Sequence, residues 1–464
     1  MPKQIVFLLV VITLLATACG AAEPTLAPTP TKTATPQVVA TTVPTDTPTM
    51  VPPTVTPVPE IPTDTPVPLP TDTPLPVENT PEPVDSPTAA AAPTDTPLPP
   101  PPRPPTGNLT SMASPDFGAQ AFLWWRDDVA DRDLTLMENA GFTWVKQWFA
   151  WADIEGRGKG QYDWSIPDRI VNQVEQHGLK LLVRVDREPS WAGPPPGNTQ
   201  HFLDFLAALT SRYKGRIDAI QIWNEPNLAR EWGGRPPNPA EYARLLQLAY
   251  STVKSIDPDV NVITAGMAPT GTCCDTAMPD TDFYTQLYQA MGGNSDGYFD
   301  MLGVHGAGFA APPEVSPDET AANKPDYGGE RFFSFRHIED IRNIMVQFGD
   351  ADKRVVVLEF GWTTDPRPDS PYYWHGRGAG IREKKKADYL RRAYEWAKNN
   401  WQPWIGLMSL INMPDLEWTE NDEQYWWAIM DPSPVDQLHF RHAYVELCLY
   451  FNEQLGRPRC QYAP

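Results

Sequence analysis

From Phe117 to the C-terminus, short apolar runs alternate with segments whose apolar residues recur at helical spacing. The runs Phe117–Leu123, Phe142–Trp148, Leu179–Val185, Asp218–Ile222, Val260–Ala265, Asp300–Val304, Val355–Phe360 and Ile405–Leu410 read as strands. Near-continuous apolarity over so few residues fits a sheet covered on both faces. The intervening segments Asp133–Asn139, Pro167–His177, Phe202–Tyr213, Phe283–Met291, Phe335–Phe348, Arg382–Lys398 and Phe440–Phe451 read as helices. The helix after the fourth strand is the best marked. Asn238 is its cap, Pro239 its first residue, Glu241 lies in its first turn, and Tyr242, Leu245, Leu246, Ala249, Val253 and Ile256 form its buried stripe. Eight strand–helix units predict an α/β fold of the (β/α)8 TIM-barrel type. A doubly wound open sheet is the competing architecture, but it calls for a Gly-rich phosphate turn after an early strand, and the sequence has none.

The first hundred residues follow another pattern. Between Pro24 and Pro105 lie 27 of the 54 prolines, and no Phe, Tyr or Trp occurs between Phe7 and Phe117. Such a segment cannot bury enough apolar surface to offset its ordering entropy. It repeats Pro-Thr-Asp-Thr-Pro from 44, 62, 70 and 93, which predicts a disordered, extended Pro/Thr-rich linker over 20–106. Ahead of it, Lys3 and the apolar run Ile5–Leu15 read as an export signal over 1–19. The run leads into Ala16-Thr17-Ala18-Cys19-Gly20, which resembles the lipobox of bacterial lipoproteins and implies lipidation at Cys19. The alternative is a plain secretory peptide cut near Ala18 or Ala22. Either way the domain 107–464 is expected outside the cytoplasm, lipid-anchored at the cell surface or secreted. The net charge of −21 argues against nucleic acid or an anionic membrane surface as partner, leaving the lipidated N-terminus as the membrane contact and a monomer as the expected state.

The fourth strand stops at Trp223-Asn224-Glu225-Pro226-Asn227, because proline removes a donor and fixes its own φ. The seventh strand likewise runs into Glu359-Phe360-Gly361-Trp362. Both carboxylates therefore fall at the C-terminal rim of the barrel, where catalytic groups are carried, from strands on opposite sides of the mouth. Two converging carboxyl groups are what glycoside hydrolysis requires, one protonated and one ionised. These residues carry a resemblance. Ile222-Trp223-Asn224-Glu225-Pro226-Asn227 is similar to the Asn-Glu-Pro signature of the clan of retaining (β/α)8 glycoside hydrolases that includes families 5, 39 and 42. Trp151-Ala152-Asp153-Ile154-Glu155 and Gly160-Gln161-Tyr162-Asp163-Trp164 resemble the clan's second-strand loop. The resemblance implies a retaining mechanism on an O-linked, β-configured glycan, with Glu225 as acid/base, Glu359 as nucleophile and Asn224 bonded to the sugar's 2-hydroxyl. The alternative is a catalytically silent carbohydrate-binding surface lipoprotein.

The clan places a His at the end of strand six, matched by His305, with a Tyr two residues on. Position 307 is Ala here, and Tyr327 is the candidate substitute. Where family 5 has an Arg late on strand two, this chain has Lys146, expected to pair with Glu359. Arg184 and Asp186 share a face at the end of strand three and are expected substrate contacts, with a structural ion pair as the alternative. Trp191 and Trp362, with Trp418 standing in for the clan's strand-eight Trp, are the expected sugar platforms. No cofactor is expected, and seven scattered His without metal-ligand spacing argue against a catalytic metal. Cys448 and Cys460 are expected to staple the last helix to the tail, while Cys273-Cys274 stay undecided between a vicinal disulfide and free thiols.

Overall fold

The computed structural model describes residues 109–193, 198–376, 382–435 and 437–462. The expected signal segment, the lipidation site Cys19 and the linker over 20–106 lie outside the described residues. Eight parallel strands close into a barrel in sequence order: β1 (Asp116–Gln120), β2 (Trp144–Trp148), β3 (Lys180–Val185), β4 (Ala219–Ile222), β5 (Asn261–Thr264), β6 (Met301–Ala307), β7 (Arg354–Gly361) and β8 (Ile405–Leu410). Around them run α1 (Asp127–Ala140), α2 (Ser165–Gln176), α3 (Thr199–Arg212), α4 (Pro239–Ile256), α5 (Asp280–Ala290), α6 (His337–Gln347), α7 (Glu383–Asn400) and α8 (His442–Gln454). This is the (β/α)8 architecture that the alternation predicts.

The helix ends follow local chemistry. The Asn238 side chain accepts from the backbone N–H groups of Ala240 and Glu241, both at 3.1 Å, where Pro239 opens α4. Gly141 ends α1 at φ 88°, a left-handed conformation that costs glycine nothing. The α1 helix starts two turns before the expected Asp133, with Asp127 and Asp128 favourably placed on its N-terminal dipole.

Strand alternation divides the apolar residues into two layers. Trp144, Leu182, Ala219, Ile263, Val356, Leu358 and Leu407 fill the barrel interior with Met112 and Met301. Val145, Val183, Ile220, Val355, Val357 and Phe360 turn outward into the larger core beneath the helices. This inside–outside rhythm positions the site. One step beyond the interior layer, β2, β3 and β4 present Lys146, Arg184 and Gln221 inward, all buried. On β7 the rhythm is broken. Val304 pairs with Val357 but His305 pairs with Glu359, so Leu358 is an extra residue opposite β6. The bulge lets Glu359 follow Leu358 on the inner side rather than turning toward the helices.

Two cysteine pairs are bonded. Cys448 of α8 joins Cys460 of the tail, with Cα atoms 5.5 Å apart, and Cys273 joins Cys274 in the loop after β5. Short helical excursions at Pro317–Ala322 and Lys324–Tyr327 follow β6, and another at Glu423–Trp427 follows β8. None of them is marked as a barrel helix by the sequence pattern.

Candidate active site

The turn after β4 is held in an uncommon conformation. Trp223 and Glu225 both have positive φ, 69° and 44°, which non-glycine residues adopt only when their surroundings over-determine it. Those surroundings are visible. Gln221 Nε2 donates to the Trp223 carbonyl at 2.8 Å and to Asn224 Oδ1 at 3.2 Å. The Glu225 N–H donates to the Gly266 carbonyl at 3.1 Å. Asn227 is wholly buried; its Oδ1 accepts from the Ala268 N–H, and its Nδ2 donates to the carbonyls of Ala268 and Met278, at 2.9–3.0 Å. The Asn-Glu-Pro-Asn segment is thereby tied to the loop after β5, and Glu225 is aimed over the barrel axis.

Glu225, His305 and Glu359 meet there. One oxygen of each carboxylate and a ring nitrogen of His305 lie within 4.8 Å of one another. His305 Nδ1 is 3.0 Å from Glu225 Oε1, and its Nε2, 3.9 Å from Glu359 Oε1, has no hydrogen-bond partner among the described residues. The His305 ring sits where a Cβ on residue 266 would stand, so Gly266 makes room for it. Lys146 Nζ donates to Glu359 Oε1 at 2.9 Å and to the Leu358 carbonyl at 3.2 Å, and Arg184 Nη1 is 3.8 Å from the same Glu359 oxygen. These three groups decide the state of Glu359. Burial alone would push its carboxyl up; the charges of Lys146, His305 and Arg184, with the Lys146 hydrogen bond, outweigh it and hold the carboxyl at about 2. Glu359 is therefore ionised throughout the neutral range.

Glu225 has a different setting. Its charged neighbours are His305 and, on the turn Ala229–Glu231, Arg230, whose Nη2 is 3.7 Å from Glu225 Oε2. Beside them Glu231 is pushed up to about 7, by burial first and then by the negative charge of Glu225. A cleft of about 340 Å³ opens over the pair, lined by Glu225, His305 and Glu359 with the apolar Ala268, Pro269, Ala307, Phe309 and Ile411. Among the described residues, Glu225, His305 and Glu359 are also the acidic and His side chains close enough to share a cation, although Lys146 and Arg184 already supply positive charge at Glu359.

The expected residues separate into groups. Glu225, Glu359, His305, Lys146 and Arg184 come together. Asn224 is buried behind them, engaged by Gln221. Asp186 does not line the cleft. It accepts from Arg184 Nε at 2.6 Å and from the Trp148 indole, so the ion-pair alternative is the one observed. Trp362 is a correction. Its side chain is fully buried, its Nε1 donates to the Ala311 carbonyl at 2.9 Å, and its ring packs on Phe335 and Tyr389 beneath Gly308, whose missing Cβ leaves the space. It cannot stack on a sugar. Trp191 is half-buried against Trp151 and His201, donates to the Glu155 carbonyl, and is not among the cleft-lining residues. Trp418 stays partly open on the rim, edge-on to Phe122 at 4.8 Å. Tyr327, on the excursion after β6, is likewise absent from the cleft lining; the tyrosine packed with Ala307 and Ile411 is Tyr372, from the loop after β7. The sequence reading passed over Arg230, Glu231, Phe309 and Ile411. For the first two the available signal was their place six residues or fewer beyond Glu225 in the same loop.

Comparisons with known proteins bear on the barrel that carries these residues. The glycoside hydrolase family 42 profile, described as beta-galactosidase, matches residues 121–221, a stretch that holds Lys146, Arg184 and Asp186 and stops short of both carboxylates. A beta-xylosidase of Geobacillus stearothermophilus is 27% identical over 130 residues, covering 24% of this chain and 25% of that enzyme. A family 39 glycoside hydrolase from Bacteroides cellulosilyticus WH2 superposes with TM-score 0.52 at 18% identity, over 73% of this chain and 63% of that one. A glucosidase from Croceicoccus marinus superposes with TM-score 0.52 at 12% identity, over 75% and 68%. The chain thus spans a quarter of the xylosidase and under two thirds of the family 39 structure. It is similar to (β/α)8 glycoside hydrolases.

Proposed function

We propose that the domain is a retaining glycosidase acting outside the cytoplasm on β-linked glycans, held at the cell surface through Cys19. The observation that carries this reading is the pair of buried carboxylates in unlike settings, with one oxygen of each within 4.8 Å of the other. Carboxyl groups about 5–5.5 Å apart suit a double displacement, whereas an inverting enzyme needs about 6.5–9.5 Å for an intervening water. A glycan of β-configured sugars is supported by the xylosidase and galactosidase similarities.

In the first step Glu359 attacks the anomeric carbon as the bond to the leaving oxygen breaks, and the Glu225 proton passes to that oxygen. In the second, Glu225 takes a proton from water, whose oxygen attacks the anomeric carbon and releases Glu359. Lys146 and Arg184 keep the nucleophile ionised. His305 fixes the Glu225 carboxyl through Nδ1 and offers Nε2 to a substrate hydroxyl. Incubation with a 2-deoxy-2-fluoro β-glycoside followed by peptide mass mapping tests the assignment. A covalent adduct on Glu359 is expected. A wild-type protein that binds glycan and is never labelled is instead a carbohydrate-binding protein, the reading that Ala307 in place of tyrosine would favour.

A further inference from the structure

The turn that carries the acid/base candidate also carries a second carboxyl and a cation. In the helical turn Ala229–Glu231, Arg230 stands between two carboxylates, with Nη2 3.7 Å from Glu225 Oε2 and Nε 3.3 Å from Glu231 Oε1. The turn is fixed to the motif. The Leu228 N–H donates to the Glu225 carbonyl at 2.9 Å, Trp223 Nε1 donates to the Glu231 carbonyl at 2.8 Å, and the Ala229 N–H donates to Thr276 at 2.9 Å. Resting on the reading of Glu225 given above, we propose that Glu231 is a positioning residue that, by engaging Arg230, keeps the proton on Glu225 available for the leaving group.

The physical argument is a competition for one cation. Unshared, Arg230 would stabilise the ionised form of Glu225 and draw its proton away. Glu231 supplies the compensating charge. The groups facing Glu231 are Glu225, Arg184, Asp186 and Arg230, and burial together with the carboxylates among them pushes it up to about 7. A rise in pH that would strip the acid therefore also charges Glu231, which neutralises Arg230 and repels a second negative charge on Glu225. The two carboxyls form a linked pair, in which negative charge on one opposes negative charge on the other.

The experiment measures pH profiles of kcat/KM for wild type, Glu231→Gln, Arg230→Met and the double variant, all as the full chain. The substrates are β-xylosides and β-glucosides with either a 2,4-dinitrophenyl or an alkyl leaving group. Glu231→Gln is expected to move the basic limb about one unit to lower pH. It should also slow the alkyl glycoside about tenfold at pH 8 while sparing the dinitrophenyl glycoside, which needs little protonation. Arg230→Met moves the limb to higher pH, and the double variant returns it toward wild type. Equal slowing of both substrates, or single variants that shift the limb the same way, overturns the proposal in favour of a structural role. If wild type hydrolyses no glycoside, the reading of the site has failed, and carbon-13 titration of labelled Glu carboxyls then decides this inference. A resonance titrating near neutrality, lost in Glu231→Gln and accompanied by a second that Arg230→Met displaces, sustains the linked pair; no such second resonance ends it.

Discussion

The two sides of the barrel mouth are built differently. The ends of β2, β3 and β4 supply charge: Lys146, Arg184, Asp186, Arg230 and Glu231, with Arg184 and Arg187 lying over the Trp148 ring at 5.0 and 5.5 Å. The ends of β6, β7 and β8 supply aromatic and aliphatic surface. Phe309 and Trp374 pack edge to face on Phe333, which is tilted against Phe332, around Ala307, Tyr372, Ile411 and Trp427. Glu225 comes from the charged side, and Glu359, on the aromatic side, receives its cation from across the barrel. The difference teaches a division of labour. Glu359 is held ionised chiefly by Lys146 of strand two, with His305 of strand six and Arg184 of strand three adding to it. Most of the apolar lining of the cleft comes from strands six to eight, the surface a sugar ring would lie on under the function proposed above.

Perturbing each side in turn should therefore give unlike phenotypes. Lys146→Met should have the largest effect, lowering kcat by about 10²–10³ through loss of a buried charge at the nucleophile. Because Lys146 is the strongest influence lowering Glu359, the acid limb of the pH–rate profile should also move to higher pH as burial takes over. An unchanged acid limb would break the division. Next come the two tryptophans assigned alike from sequence. Trp362→Ala, at a fully buried site, should cost about 3–5 kcal/mol of stability in denaturant unfolding, whereas Trp418→Ala should leave the unfolding midpoint in place and raise KM several-fold. The smallest effect is expected for Trp374→Ala on the aromatic side, about a fivefold rise in KM with kcat nearly constant, the size of one stacking contact. A fall in kcat with unchanged KM would show that this side takes part in the chemistry.

A separate check on the scaffold uses His337, buried between Asp280 and Asp340 at 2.9 Å from each. Burial opposes its charge, and the two carboxylates outweigh burial, raising it from 6.5 to about 9. A raised histidine contributes stability fully below the unfolded value and loses it as pH climbs through about 9. The difference in unfolding free energy between wild type and His337→Gln should accordingly be wider at pH 6 than at pH 10 by on the order of 3 kcal/mol, measured by denaturant unfolding.

The barrel was legible because each strand is a short apolar run, the helix after β4 carries its cap and the one after β1 its glycine stop, and the sequence order of strands is the spatial order. Glu225 and Glu359 were legible as polar ends of such runs. Their surroundings were less so, for identifiable reasons. The β7 bulge depends on how β6 pairs with it, and nothing in Val-Val-Leu-Glu-Phe announces an extra residue. Trp362 looks like a rim platform until Gly308, 54 positions earlier in the chain (362 − 308), is seen to leave it a buried slot. Tyr372 and Ile411 reach the same cluster from two loops, a tertiary coincidence that periodicity does not encode.

The excursions after β6 and β8 bear on how such a protein diversifies. Phe332 and Phe333 belong to a segment between Val315 and Phe335 that returns on itself, with Ser334 Oγ donating to the Val315 carbonyl at 2.6 Å. Its two ends are thus pinned together, so an insertion or exchange between them leaves β6, α6 and the Glu359 bulge in register. Under the function proposed above, exchange at that point would alter sugar preference and leave the two carboxylates in place, which a library confined to exposed positions between 317 and 333 would test.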